Sequence, residues 1–314
     1  MKQVIVVGAG NWGKNLVRNF YELGALAGVA ELDPTLREQM ITTYPEIAIY
    51  ETLESALKTE ISAFVIATPA PTHYEIAKTL LVAGKDIFVE KPLTLETATA
   101  KELTALAKKQ KNILMVGHLL LYQNAIAWMR DYLATGKAGN VWHVATTRVK
   151  LGRVRQQENV WWSFAPHDVS VVLDLLGYPT LETIQAKGQG MLQPDIADNV
   201  HVDLSFTSGQ TAHLHCSWYW PELKRQTVVI AQKQMLVYDE VAKTVTVYDK
   251  TVDEQLQNQD QGSWEVSLSE MQPLKRECEH FLNCLETRKQ PYSDGENGVA
   301  VVEILEKAQE AMGE

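Results

Sequence analysis

A glycine-rich turn near the start of the chain constrains its fold more than any other feature. Residues 8–13 read Gly-Ala-Gly-Asn-Trp-Gly, directly after the apolar run Val4–Val7 and directly before a segment with helical periodicity. In such a strand–turn–helix unit, Gly8 makes the tight turn, Gly10 lets the backbone approach a pyrophosphate, and Gly13 allows helix and strand to pack closely. The helix N-terminus offers further unpaired amides to the negative charge. The dinucleotide-binding residues predicted from this turn are Gly8, Gly10, Asn11, Trp12 and Gly13.

An acidic residue at the end of the second apolar run indicates which dinucleotide binds. Glu31 lies 23 residues after Gly8, close to the spacing expected for a carboxylate that accepts hydrogen bonds from the adenosine ribose. Because its negative charge repels a 2′-phosphate, we predict NAD rather than NADP. Arg37 is the nearby residue expected to soften that preference.

The first third of the chain alternates strand and helix patterns. Short, continuously apolar runs predict strands that are covered on both faces, and the segments between them carry apolar residues at helical spacing. This alternation predicts an α/β fold with a doubly wound parallel sheet of the Rossmann type over residues 1–120. The predicted strands are Val4–Val7, Leu26–Ala30, Ala63–Ala67, Ile87–Val89 and Ile113–Val116.

Residues 121–314 predict a second domain of different construction. Apolar and polar residues alternate with period two over 199–206 and 211–218, with a turn between them. This pattern predicts an antiparallel hairpin with one packed and one polar face. Similar short runs continue to residue 248, and two helical stretches close the chain. We predict an α+β domain with an open, mainly antiparallel sheet that binds substrate and forms oligomers, its terminal helix free to pack back on the first domain.

Composition excludes several classes of protein. The 314 residues are 46% apolar and 22% charged, a balance typical of globular domains rather than of disordered chains. Lys and Arg number 29 against 39 Asp and Glu, a net charge of −10 that disfavours nucleic acid as a partner. No apolar run approaches the ~20 residues of a membrane span. Three cysteines without a CxxC pair fit a reducing compartment. We therefore expect a soluble, cytoplasmic protein with no membrane partner.

A second motif, Glu90-Lys91-Pro92, follows the fourth predicted strand. With the glycine turn and the segment Ala-Thr-Pro-Ala-Pro-Thr-His at 67–73, it resembles the Gfo/Idh/MocA oxidoreductases. The resemblance extends over the whole chain, including residues 167–177 and 277–295. It implies a Rossmann domain that binds NAD and an enzyme that oxidises a hydroxyl group. The further cofactor contacts that it implies are Thr68, Pro69, His73, Glu90 and Lys91.

The same resemblance implies a catalytic pair. The family's Glu-Lys-Pro lysine lies beside the nicotinamide, where the ammonium of Lys91 would stabilise an alkoxide as it forms. His167 is the implied general base for the substrate hydroxyl, since imidazole titrates near neutral pH. Family members usually carry aspartate four residues earlier, where this chain has Ser163. Either Lys91 and His167 share the proton transfer, or Asp168 or a substrate group assists. The prediction requires Lys91 and His167 to converge on one alcohol.

Two segments, Gly10–Phe20 and Glu158–Asp168, look most like the nucleotide-sugar branch of that family. Its members oxidise the 3-hydroxyl of UDP-N-acetylglucosamine or its uronic acid, so the resemblance implies a UDP-sugar substrate. Independently, four basic residues lie within residues 148–155. They suit a diphosphate, but they are equally suited to pairing with acids across a subunit contact or a sheet edge. The predicted substrate-binding residues are Lys91, His118, Arg148, Lys150, Arg153, Arg155, Trp161, Ser163, His167 and Asp168.

Two other functions stay open at this point. One is an inositol or free-sugar dehydrogenase of the same family, and the other is a non-catalytic dinucleotide-binding sensor, to which Ser163 in place of aspartate is relevant. His201, Asp203, His213 and His215 alternate along the polar face of the predicted hairpin. Ordinary strand alternation explains them, and we predict no metal site. An open sheet face commonly packs against a second copy, so a homodimer or homotetramer is expected.

Overall fold

The computed structural model describes residues 2–269 and 272–313. The chain divides into two compact units, the first comprising Met1–Leu119 and Gln272–Glu303 and the second Leu120–Met271 and Ile304–Glu314. From the sequence, all residues beyond 120 are expected in the second domain, and only the terminal helix is expected to be able to pack on the first domain. In the structure residues 272–303 belong to the first unit, because the ring of Phe281 packs on that of Phe88, with centroids 5.6 Å apart.

A six-stranded parallel sheet forms the core of the first unit. Its strands are β1 (Val4–Val7), β2 (Leu26–Ala30), β3 (Ala48–Tyr50), β4 (Ala63–Ile66), β5 (Asp86–Glu90) and β6 (Leu114–Gly117). The order β3-β2-β1-β4-β5-β6 confirms the predicted doubly wound sheet. Strand order reverses between β1 and β4, where the carboxyl ends of such strands bind ligands. The sequence missed β3 because it has only three residues, none of which is buried.

Helices and short 3₁₀ turns connect these strands and follow them. The α-helices of the chain are α1 (Gly13–Glu22), α2 (Pro34–Thr43), α3 (Leu53–Leu57), α4 (His73–Val82), α5 (Thr97–Gln110), α6 (Asn124–Ala134), α7 (Val160–Leu176), α8 (Pro273–Thr287) and α9 (Gly295–Met312). The 3₁₀ turns are Ala70–Thr72 and Leu119–Tyr122. Helix α1 begins at the third glycine of the turn, and α8 packs against it within the first unit. The two predicted terminal helices are thus confirmed as α8 and α9.

The second unit is built on an eight-stranded sheet. Its strands are β7 (Val141–Val149), β8 (Leu181–Gln189), β9 (Asn199–Phe206), β10 (Thr211–Ser217), β11 (Lys224–Ala231), β12 (Met235–Asp239), β13 (Thr244–Val252) and β14 (Asn258–Val266). The order is β14-β13-β12-β11-β7-β10-β9-β8, and every pair except β7–β10 is antiparallel. The predicted mainly antiparallel sheet is confirmed. The sequence does not predict strands β8 and β14, because both are largely exposed and show no clear apolar alternation.

Helix α7 covers one face of this sheet by packing on β7 and β10. It begins where the Asn159 side chain accepts a 3.1 Å hydrogen bond from the Trp162 amide, and it ends at Gly177, whose φ of +77° is left-handed. Such a cap and such a glycine are ordinary helix-end signals. The side chains on the other face, which are partly buried apart from the exposed Asp203, form what we call the open face. They include His143, Ala145, His201, Asp203, His213, His215, Val228 and Val237.

Over residues 2–269 and 272–313, no helix combines the length and apolarity needed to cross a membrane. Cys216, Cys278 and Cys284 are all buried free thiols.

Candidate active site

The glycine turn has the geometry that its sequence predicts. Gly8 has a φ of +92°, and a Cβ there would lie 3.0 Å from the Ala67 carbonyl oxygen. At Gly13 a Cβ would lie only 2.1 Å from the Gly8 carbonyl oxygen, a contact that no side chain tolerates. A Cβ at Gly10 would meet no atom within 4 Å. Gly8 and Gly13 therefore serve the fold, whereas Gly10 leaves open space where a pyrophosphate can approach.

Glu31 lies against the same turn. Its carboxylate accepts hydrogen bonds from the Ala9 amide at 2.6 Å and the Asp33 amide at 2.9 Å. Arg37 donates to the Glu31 carbonyl oxygen at 3.0 Å and to the Leu32 carbonyl oxygen at 2.7 Å. These contacts occupy the guanidinium that was expected to soften the cofactor preference. The carboxylate beside the turn favours a ribose without a 2′-phosphate, so these residues fit NAD.

The loop after β4 is held by a buried histidine. The His73 ring nitrogens lie 2.8 Å from the Pro92 carbonyl oxygen and 2.9 Å from that of Thr68, and the side chain is 1% exposed. Burial lowers the pKa of His73. The predicted cofactor contact by His73 is therefore corrected: its imidazole ties the loop containing Thr68 and Pro69 to the turn at Pro92. Thr68 itself accepts a 2.7 Å hydrogen bond from the Thr72 hydroxyl.

The Glu-Lys-Pro motif ends β5, and the Lys91–Pro92 peptide bond is cis. The Glu90 carboxylate is buried; it accepts a hydrogen bond from the Trp12 indole and, at 3.3 Å, one from the Lys91 amide. Burial raises the pKa of Glu90 to about 7, although the indole hydrogen bond and the Lys91 charge oppose this. Glu90 thus joins the glycine turn to the lysine turn, and we correct its predicted cofactor contact to a supporting role. Trp12, 41% exposed, keeps a surface that a cofactor can contact.

His118 follows β6 and is completely buried. Burial, and then the charge of Lys91, lower the pKa of His118 to about 3, so the imidazole is neutral. A fully buried ring presents no surface to a ligand. The predicted substrate contact by His118 is therefore corrected, because its imidazole is buried within the protein.

In the second unit, His167 and Ser163 lie one turn apart on α7. Both are partly exposed, whereas the neighbouring Pro166 and Asp168 are buried. Residues four apart share a helix face, so Ser163 occupies the position from which a family aspartate would face His167. Lys91 and His167 belong to different units.

A buried ion network lies beside His167. Arg148 donates to Asp168 at 2.8 and 3.0 Å and to Glu240 at 2.9 Å, and Arg225 donates to Glu240 at 2.9 Å. Arg148 is 9% exposed and Asp168 is 3% exposed. Their predicted contacts with substrate are therefore corrected: each is committed to the other, and the pair ties α7 to β7. This outcome matches the alternative in which the basic residues pair with acids.

The other three basic residues have different surroundings. Lys150 lies over the ring of Phe164, 5.5 Å from its centroid, and burial together with three nearby arginines lowers its pKa. Phe164 precedes His167 by three residues, so this contact brings Lys150 to the His167 side of α7. Arg153 is exposed, and Arg155 lies 3.5 Å from Glu158 in a pair open to solvent. These three side chains remain candidates for an anionic ligand.

Trp161 was predicted to contact substrate, and the structure corrects this. Its ring is completely buried, and its Nε1 donates a 3.1 Å hydrogen bond to the Leu305 carbonyl oxygen in α9. Trp161 is thus a core residue that joins α7 to α9. On the open face, no group of three or more metal-ligating side chains is placed to hold an ion within the described ranges.

Comparison with known proteins decides the family. Residues 2–118 match the model of an oxidoreductase family with an NAD-binding Rossmann fold, and residues 126–237 match the Gfo/Idh/MocA C-terminal domain. The chain belongs to the Gfo/Idh/MocA oxidoreductases. It is an NAD-binding oxidoreductase, which confirms the family resemblance, the fold class and the cofactor.

Individual relatives of this Gfo/Idh/MocA chain differ in how much of it they cover. UDP-N-acetylglucosamine 3-dehydrogenase of Acidithiobacillus ferrooxidans is 26% identical over 95% of this chain and 93% of its own length. A crystal structure of that enzyme covers 98% of this chain and 97% of its own, with a TM-score of 0.86 at 23% identity. Inositol 2-dehydrogenase of Rhizobium meliloti is 26% identical over 60% of this chain and 59% of its own length.

Sequence reasoning missed several supporting residues of this Gfo/Idh/MocA fold. Glu240 and Arg225 complete the Arg148 network, and nothing in their local sequence signals a partner so distant along the chain. The importance of Glu277, by contrast, could have been predicted from its position in the sequence. It lies inside the apolar stripe of α8, next to Cys278 and one turn before Phe281, and an acid in such a stripe is unusual unless it has a function.

Proposed function

We propose that this protein catalyses the NAD-dependent oxidation of a secondary hydroxyl of a nucleotide sugar, with C3 of UDP-N-acetylglucosamine as the leading candidate. The observation that carries the proposal is similarity along nearly the full length of both chains to an enzyme of that name. The inositol dehydrogenase matches only 60% of this chain. The branch resemblance of the segments around Gly10 and His167 supports the same choice.

The chemistry assigns a role to each residue of the proposed catalytic pair. NAD, when bound, accepts a hydride from the carbinol carbon. The His167 imidazole takes the hydroxyl proton, and the Lys91 ammonium stabilises the negative charge that develops on the oxygen. The product is a ketone, so one C–H and one O–H bond are broken. With Ser163 in place of an aspartate, the protonated imidazole has no carboxylate four residues earlier to stabilise it.

An anionic substrate fits the charges of the second unit. Lys150, Arg153 and Arg155 retain exposed or half-exposed cationic groups, and Lys150 lies on the His167 side of α7. Because the whole chain carries a net charge of −10, a local group of cations favours a diphosphate at this place. A neutral polyol such as inositol gains little binding free energy from this group of cations.

A direct test follows NADH formation by absorbance while the protein is incubated with NAD and either UDP-N-acetylglucosamine or myo-inositol. We expect NADH only with the UDP-sugar, and a loss of apparent affinity when Lys150 is replaced by Met. Lys137→Met, at an exposed position three residues after α6, is the matched control. NADH formation with myo-inositol alone would contradict the substrate assignment, and a flat trace over a broad sugar panel would favour the sensor.

We also propose that two copies associate through the open face. Eight strands about 4.8 Å apart and some 20 Å long present roughly 800 Å², which is the area each partner contributes to a standard stable interface. The middle of this face is uncharged, with Ala145, Val228 and Val237 on adjacent strands. Depletion of charge at the centre is typical of interfaces. The three free cysteines are consistent with action in a reducing compartment.

A further inference from the structure

A second buried acid faces Glu90 within the first unit. On β5, Phe88 and Glu90 are two residues apart and point to the same side of the sheet. Phe281 of α8 packs on Phe88 with ring centroids 5.6 Å apart, and Glu277 lies one turn before Phe281 on the same face of α8. The helix face that covers Phe88 therefore carries Glu277 toward Glu90.

Gly117 makes room for this arrangement. It pairs with Glu90 in the parallel register of β5 and β6. A Cβ at Gly117 would lie 3.0 Å from the Glu90 Oε2 atom and 3.0 Å from the Phe88 ring. The space that a side chain would fill at this position is thus taken by the Glu90 carboxylate and its aromatic neighbour.

Glu277 is completely buried, and neither of its carboxylate oxygens has a hydrogen-bond partner within the described residues. An ionised carboxylate in that condition is very unfavourable, whereas a protonated one costs far less. Burial and then the charge of Glu90 raise the pKa of Glu277 well above its ordinary value. Glu90 differs, because the Trp12 indole and the Lys91 amide both donate to it.

We propose that Glu277 is a positioning residue for Lys91. It lies behind Glu90 and stays protonated, so the two buried acids together carry one negative charge. That charge balances the single ammonium of Lys91. The role assigned to Lys91 rests on the proposed function, whereas the protonation of Glu277 does not. The other titratable groups around the pair are His118, which is neutral, and the buried thiol of Cys278, whose pKa is raised. Neither of them supplies a competing charge.

The protonation is tested by infrared spectroscopy, which reads the carbonyl stretch of a protonated carboxylic acid without substrate or cofactor. Difference spectra between the wild type and Glu277→Gln are recorded from pH 5 to pH 9. We expect one protonated carboxyl that persists above pH 8 in the wild type and is missing in Glu277→Gln. Asp174→Asn, which removes a partly buried acid of the second unit, is the matched control and leaves that signal in place.

Glu90→Gln tests the coupling between the two acids. Removing the Glu90 charge removes one of the two causes that keep Glu277 protonated, so the midpoint of the Glu277 signal moves to lower pH. An unchanged midpoint would overturn the pairing. A wild type without the signal at pH 8, or a signal that survives in Glu277→Gln, would overturn the protonation.

The link to Lys91 is read from the pH profile of kcat/KM. Glu277→Leu gives Glu90 a less polar environment, so Glu90 protonates at higher pH. The acid limb of the kcat/KM profile therefore moves to higher pH. Glu277→Gln keeps a neutral polar group and restores the limb toward its wild-type position. Identical limbs in the two variants would contradict the positioning role. If no variant or wild type turns over UDP-sugars, the infrared result still stands and the proposed function alone fails.

Discussion

Single buried side chains decide most of the site's architecture. His73, Glu90 and Trp161 are residue types that bind ligands in many enzymes, yet here each is buried and bonded to the protein's own groups. Their contacts join neighbouring segments: a loop to a turn, one turn to another, and one helix to another. Because sequence shows residue type but not exposure, supporting residues of this kind are easily mistaken for ligand contacts.

Replacing Gly10 by alanine is predicted to weaken NADH binding alone, whereas replacing Gly13 by alanine is predicted to lower stability as well. In Gly10→Ala the new methyl meets no protein atom, so stability is unchanged while NADH affinity, measured by fluorescence titration, falls at least about tenfold, or ~1.4 kcal/mol. In Gly13→Ala the methyl collides with the Gly8 carbonyl oxygen, so the thermal midpoint also falls. Wild-type NADH affinity in Gly10→Ala would show that the pyrophosphate does not approach there.

Glu277 is predicted to make the protein less stable as pH rises. Its pKa is raised in the folded state, so folding takes up a proton at pH values between the unfolded and the folded pKa. Unfolding free energy is then lost at about 1.4 kcal/mol per pH unit until the folded pKa is reached. Glu277→Gln is therefore more stable than the wild type at pH 8, and the gap in thermal midpoint closes toward pH 4. A gap that does not change with pH would show that Glu277 is ionised in the folded state.

At the level of elements, α7 depends on the charge network beneath it. Arg148 on β7 holds Asp168, the residue directly after His167, and Glu240 near the end of β12. The network thereby ties the helix that carries the proposed base to two strands of the sheet. Breaking such a buried pair leaves an uncompensated charge, which costs more than the pair contributed.

Arg148→Met is predicted to destabilise the protein by about 3–5 kcal/mol, because Asp168 and Glu240 lose their buried partner. Arg153→Met, at an exposed position of the same basic segment, leaves stability unchanged. Denaturant unfolding measures both. Equal stabilities for the two variants would show that the network does not hold α7.

The predictability of each element follows from its environment. The predicted strands Val4–Val7 and Leu26–Ala30 agree with the structure at both ends, because strands buried on both faces must be continuously apolar. Strand β14, exposed over nearly its whole length, carries no such constraint. In the site, the glycine turn and Glu31 were predictable because phosphate and ribose binding require those residue types at that spacing. The partners of Arg148 were not, since they depend on contacts distant along the chain.

For the whole molecule, the open face is the feature that bears on assembly. His201 and His215 stack there with ring centroids 4.0 Å apart, and His213 lies 2.8 Å from Asp203. Burial is the main cause that lowers the pKa of His201, and it lowers that of His215 to about 4, with the charges of neighbouring histidines and Lys224 adding to it. The stacked pair is therefore neutral at pH 7.

Acid is predicted to separate the copies. Association through the open face would bury these imidazoles further, so protons bind more readily to the separated chain. The assembly proposed for pH 7.5 is therefore expected to dissociate near pH 5 and below. Lys187, opposite His201 on β8, adds to the positive charge, and Asp203 opposes it. Light scattering after gel filtration measures the mass at each pH. Val228→Asp on the open face gives monomers at pH 7.5, whereas Val82→Asp, at a 63% exposed position on α4, does not. A mass independent of pH and of Val228→Asp would place the interface elsewhere.

Joint action of Lys91 and His167 on one sugar hydroxyl is the central claim of the proposed function. Single-turnover hydride transfer from UDP-N-acetylglucosamine to NAD, with protium and with deuterium at C3, tests it in the wild type, Lys91→Met, His167→Asn and the double variant. We predict that each single change slows transfer about 10²- to 10⁴-fold, that the double variant is little slower than the worse single one, and that C3 deuterium slows the wild type. Wild-type transfer in either single variant, or effects that multiply in the double variant, would contradict the claim.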